Sequence, residues 1–463
     1  MSGSVQKNKS QDTQFKPYVV REPSIFEKAL PWIIGIGVLG FLIYLGMQLF
    51  SPEHYKPPIF PTIVRVENGW VTALTWLLGA VVLIGLIAFL TTTFLRNVRG
   101  RKNISFWAVL GDQVTHLAIW IVIFSTIYPL FYVIAASFDP RNSLYNTRPI
   151  ESASVFIRSK VLPDFSQTSW ENYEKLFYGI QLAPWHWGFL ILAAVSLIAV
   201  LVINLYSRIT SDTRSLKVPH AVITRILLGS LALLILTLTP AQFTGPDNEN
   251  KFLLHIRNTL LVSGITGVMT VLLATTGGYA VARFSFPGRY QTLLTFVFLQ
   301  MIPTVIGLVA VYFLLSYFDL SNTFTGLILA YSGGAIAFNI WIFKGYVEGL
   351  PISLEEAALV DGASRWQVFS QIILPLSGPM LVFIFLNQFI GTYAEFILAS
   401  VVLTGVENWT VGVSLRSFTS GQFSTKWGIF AAASVVGALP IVALFYTFQQ
   451  YFVGGQVAGG VKE

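Results

Sequence analysis

Glu356, Ala357 and Ala358 open the stretch of this chain whose spacing carries most information. With Gly362, Ile372, Leu374 and Pro375 they form the pattern E-A-A-x3-G-x9-I-x-L-P. From average residue usage, these seven positions should coincide by chance in on the order of one chain in 100,000 or fewer. Glu355 and Glu356 are adjacent, so on a helix they point about 100° apart and cannot frame one scissile bond. Hydrolysis by paired carboxylates is therefore a poor fit. Docking fits better: Glu355, Glu356 and Asp361 offer carboxylates to Arg or Lys of a partner, and Ala357 and Ala358 leave a shallow surface for close approach.

Other reactive arrangements are missing from the sequence. His54, His116, His186, His220 and His255 are scattered without metal-ligand spacing, so no metal site is expected. Cysteine is absent, which excludes thiol catalysis, disulfides and Cys-ligated metals. There is no nucleophile elbow. There is also no G-x-x-x-x-G-K-[ST] stretch, so the chain binds no cofactor of its own and any ATP chemistry comes from another subunit.

The stretch needs two short helices to present it. Pro351 discourages the preceding helix from continuing. Ser353 and Glu356 have the spacing of a capping box, and Gly362 suits the left-handed residue that ends a helix. Ser364 and Gln367 form a second capping box, opening a helix through Trp366, Val368 and Phe369. Pro375 suits the first turn of the next span.

The surrounding chain is that of a polytopic membrane protein. Of 463 residues, 54% are hydrophobic and 11% charged, against about a quarter charged in a soluble domain. Ten candidate spans are counted, at about 30–50, 71–95, 114–137, 187–206, 221–240, 257–282, 291–317, 322–343, 376–400 and 427–450. Backbone groups in lipid must pair internally, so each is expected to be a helix. The first run is longer than a signal-peptide core and follows a polar tail, which marks an uncleaved anchor. Trp70, Trp185 and Trp187 lie at span ends as interfacial aromatics, and Arg225 and Arg257 are placed to snorkel.

The net charge of +7 is explained by membrane orientation. Lys7, Lys9, Lys16, Arg21 and Lys28 fill the N-terminal tail; Arg96, Arg99, Arg101 and Lys102 follow span two; Arg208, Arg214 and Lys217 follow span four. The short loop 51–70 holds only Lys56 and Arg65. This bias puts both termini and loop 344–375 in the cytoplasm, although the external loop 138–186 also carries basic residues. The basic loops lack interleaved aromatics, so no nucleic-acid partner is expected.

Polar residues within spans are functional candidates by default. Asn387, Gln388, Tyr393 and Glu395 are the pathway candidates. Glu395 lies seven residues after Gln388 and eight after Asn387, which keeps the three near one helix face. Interhelical hydrogen bonding is the alternative role.

The stretch at 356–375 resembles the coupling loop of permease subunits from bacterial ABC importers. The likeness extends over about 114–137 and 256–463, through Ala282-Arg283-Phe284, Phe286-Pro287-Gly288, Lys344-Gly345-Tyr346, Asp361-Gly362-Ala363 and Ala458-Gly459-Gly460-Val461-Lys462. Among carbohydrate importers it is most similar to the second, smaller permease of the maltose/maltodextrin type. The resemblance implies an all-α, polytopic transmembrane helical bundle with a type I ABC importer permease core in the bacterial cytoplasmic (inner) membrane. It implies a second permease subunit as heterodimer partner, an ATPase homodimer that uses ATP and Mg, and an extracytoplasmic sugar-binding protein. By the same resemblance, Ser420, Gly421, Gln422 and Phe423 centre a loop that reaches into the binding protein. Gly459, Gly460, Val461 and Lys462 belong to a tail that contacts the ATPase.

The family's smaller permease usually has six spans, so this chain carries additions. The expected divisions are a cytoplasmic tail 1–29, two extra helices in 30–113, a first core helix with external loop and inserted helix pair in 114–255, and the permease core 256–463. The expected solute is maltose, maltodextrin or a related α-glucoside, with another oligosaccharide or glycerol phosphate as the alternative. A secondary transporter would want paired ionisable residues at mid-bilayer and symmetric halves; a membrane scaffold without transport is the third class.

Overall fold

The computed structural model describes parts of 32–44, then residues 69–97, 104–141, 163, 165–209, 217–243, 251–301, 304–419 and 426–459. Among these the chain is helical and carries no strand. It divides into two compact units, residues 1–132 with 149–163, and residues 133–148 with 164–463.

The first unit contains α1 (Gly69–Asn97) and most of α2 (Phe106–Ser137). Arg96 Nη2 donates to Ile104 O at 2.6 Å, which ties the end of α1 to the residues just ahead of α2. Gln113 Nε2 donates to Thr91 Oγ1 at 3.3 Å, and Trp32 sets its ring edge-on against His116 and Trp120. Leu78, Val81 and Val82 are exposed on α1, as lipid-facing side chains are.

The second unit begins with the end of α2 and the short helix α3 (Glu171–Phe177). Buried Asn172 ties them by donating to Ser137 O at 3.0 Å and Asp139 O at 2.8 Å. Next come α4 (Pro184–Ile209) and α5 (Lys217–Leu236), an antiparallel pair whose open end is clipped by Gln181 N donating to Gln242 O. The core follows with α6 (Phe252–Arg283), α7 (Arg289–Gln300), α8 (Thr304–Tyr317), α9 (Phe324–Glu348), α10 (Ser353–Val360), α11 (Arg365–Leu376), α12 (Gly378–Ala394), α13 (Ile397–Val402), α14 (Val411–Thr419) and α15 (Trp427–Gly459).

Helix α6 is the spine, packed most extensively on α9 and then on α12. Gly277 and Gly278 make the approach to α9 possible. A Cβ on Gly278 would sit 3.0 Å from Phe343 Cβ and 3.1 Å from Ile340 O. Small residues at such crossings let membrane helices come close enough for dispersion contacts. Gly278→Ala should therefore destabilise the chain by about 1 kcal/mol through overpacking. Thermal unfolding of the detergent-solubilised protein measures this, and an unchanged midpoint would place the α6–α9 contact elsewhere.

Six helices in the described residues are long and apolar enough to cross a membrane, and the α11–α12 pair would add a seventh if it were one span. Two expected spans are interrupted. The expected helix over 291–317 is described as two helices, α7 ending at Gln300 and α8 beginning at Thr304; Ile302 and Pro303 lie outside the described residues. The expected span 376–400 stops at Ala394, and α13 begins after a break at Glu395 and Phe396. Of the expected span 30–50, only parts of 32–44 are described, and these are helical.

Candidate functional site

The Glu-Ala-Ala stretch forms a platform at the shared end of α6 and α9. Helix α10 carries it. Ile352 O accepts from both Glu355 N and Glu356 N, so the helix starts one residue ahead of Ser353. The expected Ser353–Glu356 capping box is not formed, and Ile352 occupies the cap without a side-chain bond. At the other end Gly362 adopts φ +86°. Its N–H donates to Leu359 O at 3.1 Å and Ala363 N donates to Ala358 O at 3.0 Å. These two bonds are the Schellman pairing that satisfies the last helix carbonyls.

The second capping box is present. Ser364 N donates to Gln367 Oε1 at 2.7 Å, and Gln367 N donates to Ser364 Oγ at 3.2 Å. Helix α11 then contains a π-helical stretch, Val368–Ile373, and meets α12 at a 74° bend. Pro375 lies near the end of α11, ahead of the bend; Pro379 takes the first turn of α12 instead. The wider π turn brings Val368, Phe369 and Ile373 onto one buried face, against Tyr279, Phe343, Val347 and Ile384. Ile372 and Leu374 are half-buried.

The two adjacent glutamates have opposite fates. Glu355 is buried, and Arg283 Nε donates to its Oε1 at 2.6 Å, with side-chain exposures of 9% for the arginine and 3% for the glutamate. Tyr279 donates its hydroxyl to Glu355 Oε2 at 3.1 Å. Arg283 Nη2 also donates to Val347 O at 2.8 Å and Leu350 O at 3.1 Å. One guanidinium thus ties the ends of α6 and α9 to α10. Glu355 cannot serve as a partner-facing carboxylate, because its oxygens are consumed inside the chain. Glu356, Ala357 and Asp361 are exposed, whereas Ala358 is half-buried and packs on the platform core.

Tyr279 and Arg283 are the residues that spacing within the loop could not reveal, since they lie more than seventy positions away. Arg283 stands in the Ala-Arg-Phe motif, the one available signal. Val360 and Trp366, on either side of the turn, are 86% and 67% exposed. Large apolar side chains presented this way, beside Glu356 and Asp361, make a surface suited to a protein partner.

The pathway candidates do not converge. Asn387 is exposed, and Gln388 Nε2 donates to Thr392 Oγ1 at 3.0 Å. Tyr393 is buried and donates to Gly437 O at 2.8 Å. Glu395 lies beyond the end of α12 with an extended backbone, so helical spacing does not relate it to Asn387 and Gln388. Its carboxylate accepts from Tyr331 Oη, from Leu398 N at 2.9 Å and from Ala399 N at 3.3 Å. That is the role of a cap on α13.

The described residues of the expected binding-protein loop are held by hydrogen bonds from α6 and from the segment ahead of α9. Asn258 Nδ2 donates to Glu407 O at 2.7 Å and Trp409 O at 3.1 Å, while Asn322 Oδ1 accepts from Gly405 N. Lys426 N donates to Phe418 O at 3.2 Å. Ser420, Gly421, Gln422 and Phe423 lie outside the described residues, as do Gly460, Val461 and Lys462; Gly459 ends α15. No group of three His, Asp or Glu among the described residues is placed to hold a metal.

Residues 271–455, which include the platform, match the family described as binding-protein-dependent transport system inner membrane component. The maltose/maltodextrin transport system permease protein MalG of Vibrio vulnificus (strain YJ016) is 43% identical over 212 residues, covering 44% of this chain and 71% of that protein. MalG of Escherichia coli (strain K12) is 43% identical over 216 residues, covering 45% and 72%. Among solved structures, a bacterial ABC transporter involved in import of the acidic polysaccharide alginate aligns with a TM-score of 0.51 at 16% identity, covering 75% of this chain and 99% of that one. At that identity the likeness concerns the fold alone.

Proposed function

The chain belongs to the family of binding-protein-dependent transport system inner membrane components, and from that membership we propose that it is the permease subunit of an ATP-driven importer for maltose, maltodextrins or related α-glucosides. The observation that carries the reading is the 43% identity to MalG over 212 residues, with the family match running through the platform. The protein is a multi-pass, non-enzymatic component of the inner membrane.

The finer parts of the reading follow from the platform. An ATPase homodimer docks on the turn, where Glu356 and Asp361 pair with basic residues and Ala357, Val360 and Trp366 make the close contact. ATP and Mg act in that subunit. When the dimer closes, the docked helices move, and the Arg283–Glu355 tie together with Phe369 packed on Tyr279 passes the motion to α6 and α9. A second permease completes the pathway, and an extracytoplasmic binding protein delivers sugar at the loop around Ser420–Phe423. Both termini then lie in the cytoplasm. Asn387 remains the pathway candidate whose side chain is exposed; the polar groups of Tyr393 and Glu395 serve packing and capping.

Reconstitution into vesicles tests this directly. Uptake of radiolabelled maltose should require ATP, the ATPase and the binding protein together. Uptake by this chain alone under an ion gradient would replace the reading with a secondary transporter.

A further inference from the structure

Beside the platform, a cavity of about 470 Å³ opens at the start of α7, lined by Phe286, Gly288, Arg289, Tyr290, Gln291, Leu293 and Lys344. Its basic groups share one carboxylate. Lys344 Nζ lies 2.6 Å from Glu348 Oε2, and Arg289 Nη2 lies 3.4 Å from Glu348 Oε1. Two cations on one anion leave the mouth net positive. Arg289 Nη2 also donates to Ala282 O at 3.2 Å, which places the cavity at the very end of the apolar helices α6 and α9. That is the depth at which a spanning helix leaves the hydrocarbon and meets headgroups.

The helix leading away from this mouth carries an exposed apolar stripe. Tyr290, Leu294, Val297 and Phe298 are spaced four, three and one apart, so they form one stripe along α7, and they are 69%, 50%, 50% and 65% exposed. A soluble anion would use the cations and leave the stripe uncovered. A phospholipid uses both, with its phosphate at Arg289 and Lys344 and its acyl chains along the stripe. Basic pockets between membrane helices at the headgroup level are suited to anionic lipids.

We propose that this cavity holds the headgroup of an anionic phospholipid, with Arg289 and Lys344 as its phosphate ligands and α7 as its acyl-chain rest. The proposal goes beyond the transport reading and stands without it. The site adjoins the platform through Ala282 and Arg283 on α6 and Val347 and Glu348 on α9, so bound lipid would brace the ends of the two helices that Arg283 joins to α10.

The test compares lipid retention by the purified full-length chain from bilayers of equal phosphatidylglycerol and phosphatidylcholine. Native mass spectrometry counts what stays bound. Wild type should retain phosphatidylglycerol in preference, and equal retention of the two lipids would overturn the proposal. Arg289→Gln and Lys344→Gln should each weaken retention roughly five-fold, since one basic residue near an anionic surface is worth about that factor. Lys344→Arg, which keeps the charge, should retain the lipid. If the neutral variants fold, as judged by monodisperse elution, and still retain phosphatidylglycerol like wild type, the ligands are misassigned. Excess inorganic phosphate should leave the lipid in place; displacement would assign the cavity to a soluble anion and overturn the lipid reading.

Discussion

Glu355→Ala should unfold the platform and abolish sugar uptake, although the residue is hidden from any partner. Removing the carboxylate leaves the Arg283 guanidinium in a site where its side chain is only 9% exposed. Its remaining partners are the carbonyls of Val347 and Leu350, which carry no net charge to offset it. Breaking one side of a buried ion pair typically costs 3–5 kcal/mol, because the other charge is stranded in a poorly polarisable surrounding. Tyr279 also loses its acceptor. Thermal unfolding of the solubilised complex and vesicle uptake should both fall sharply. Glu356→Ala makes the informative contrast. That residue is exposed, so stability should stay within about 0.5 kcal/mol while uptake drops through weaker ATPase docking. If the two variants lost stability equally, the division between an internal tie and an external contact would be wrong.

Gly362→Val should separate the two platform helices. At φ +86° a β-branched residue clashes with its own backbone, and a residue forced to hold that conformation costs on the order of 1–3 kcal/mol. The space around Gly362 is open, with nothing within 4 Å of an added Cβ, so the penalty is conformational. The chain can relieve it by giving up the bonds from Gly362 N to Leu359 O and from Ala363 N to Ala358 O. Either way the angle between α10 and α11 is lost, and uptake should fall while the protein still reaches the membrane. Gly362→Asn should recover part of the activity, since asparagine tolerates the left-handed region better than other side chains. Normal uptake by the valine variant at normal expression would remove Gly362 from the mechanism.

What could be read from the chain beforehand was whatever local spacing decides. The Ser364–Gln367 box and the left-handed Gly362 depend on residues within one turn, and both are present. The Ser353–Glu356 box failed for a reason no local pattern contains. The register of α10 turns Glu355 inward to Arg283, an arginine 72 positions earlier, and begins the helix at Ile352 instead. The same long-range demand sorted the glutamates, which look alike in sequence. Breaks inside apolar stretches were harder to see. Pro129 and Pro440 lie inside continuous helices, so proline alone does not decide. Glu395 read as a pathway residue because helical periodicity was extended past Ala394. The backbone turns extended there, and the carboxylate caps α13. Val360 and Trp366 were invisible as docking residues, since exposure of an apolar side chain is decided by packing and not by its type.

In the proposed transporter the turn at Gly362 faces the cytoplasm and holds an ATPase. The chain contains no cysteine, so a single introduced thiol reports without background. Val360→Cys, at 86% exposure and two residues from Gly362, is the place for a short bifunctional crosslinker in intact membranes. A covalent product with the ATPase subunit is expected, formed in inside-out vesicles and lost when that subunit is absent. Labelling from the extracytoplasmic side, or a platform that captures no ATPase in the assembled transporter, would contradict it.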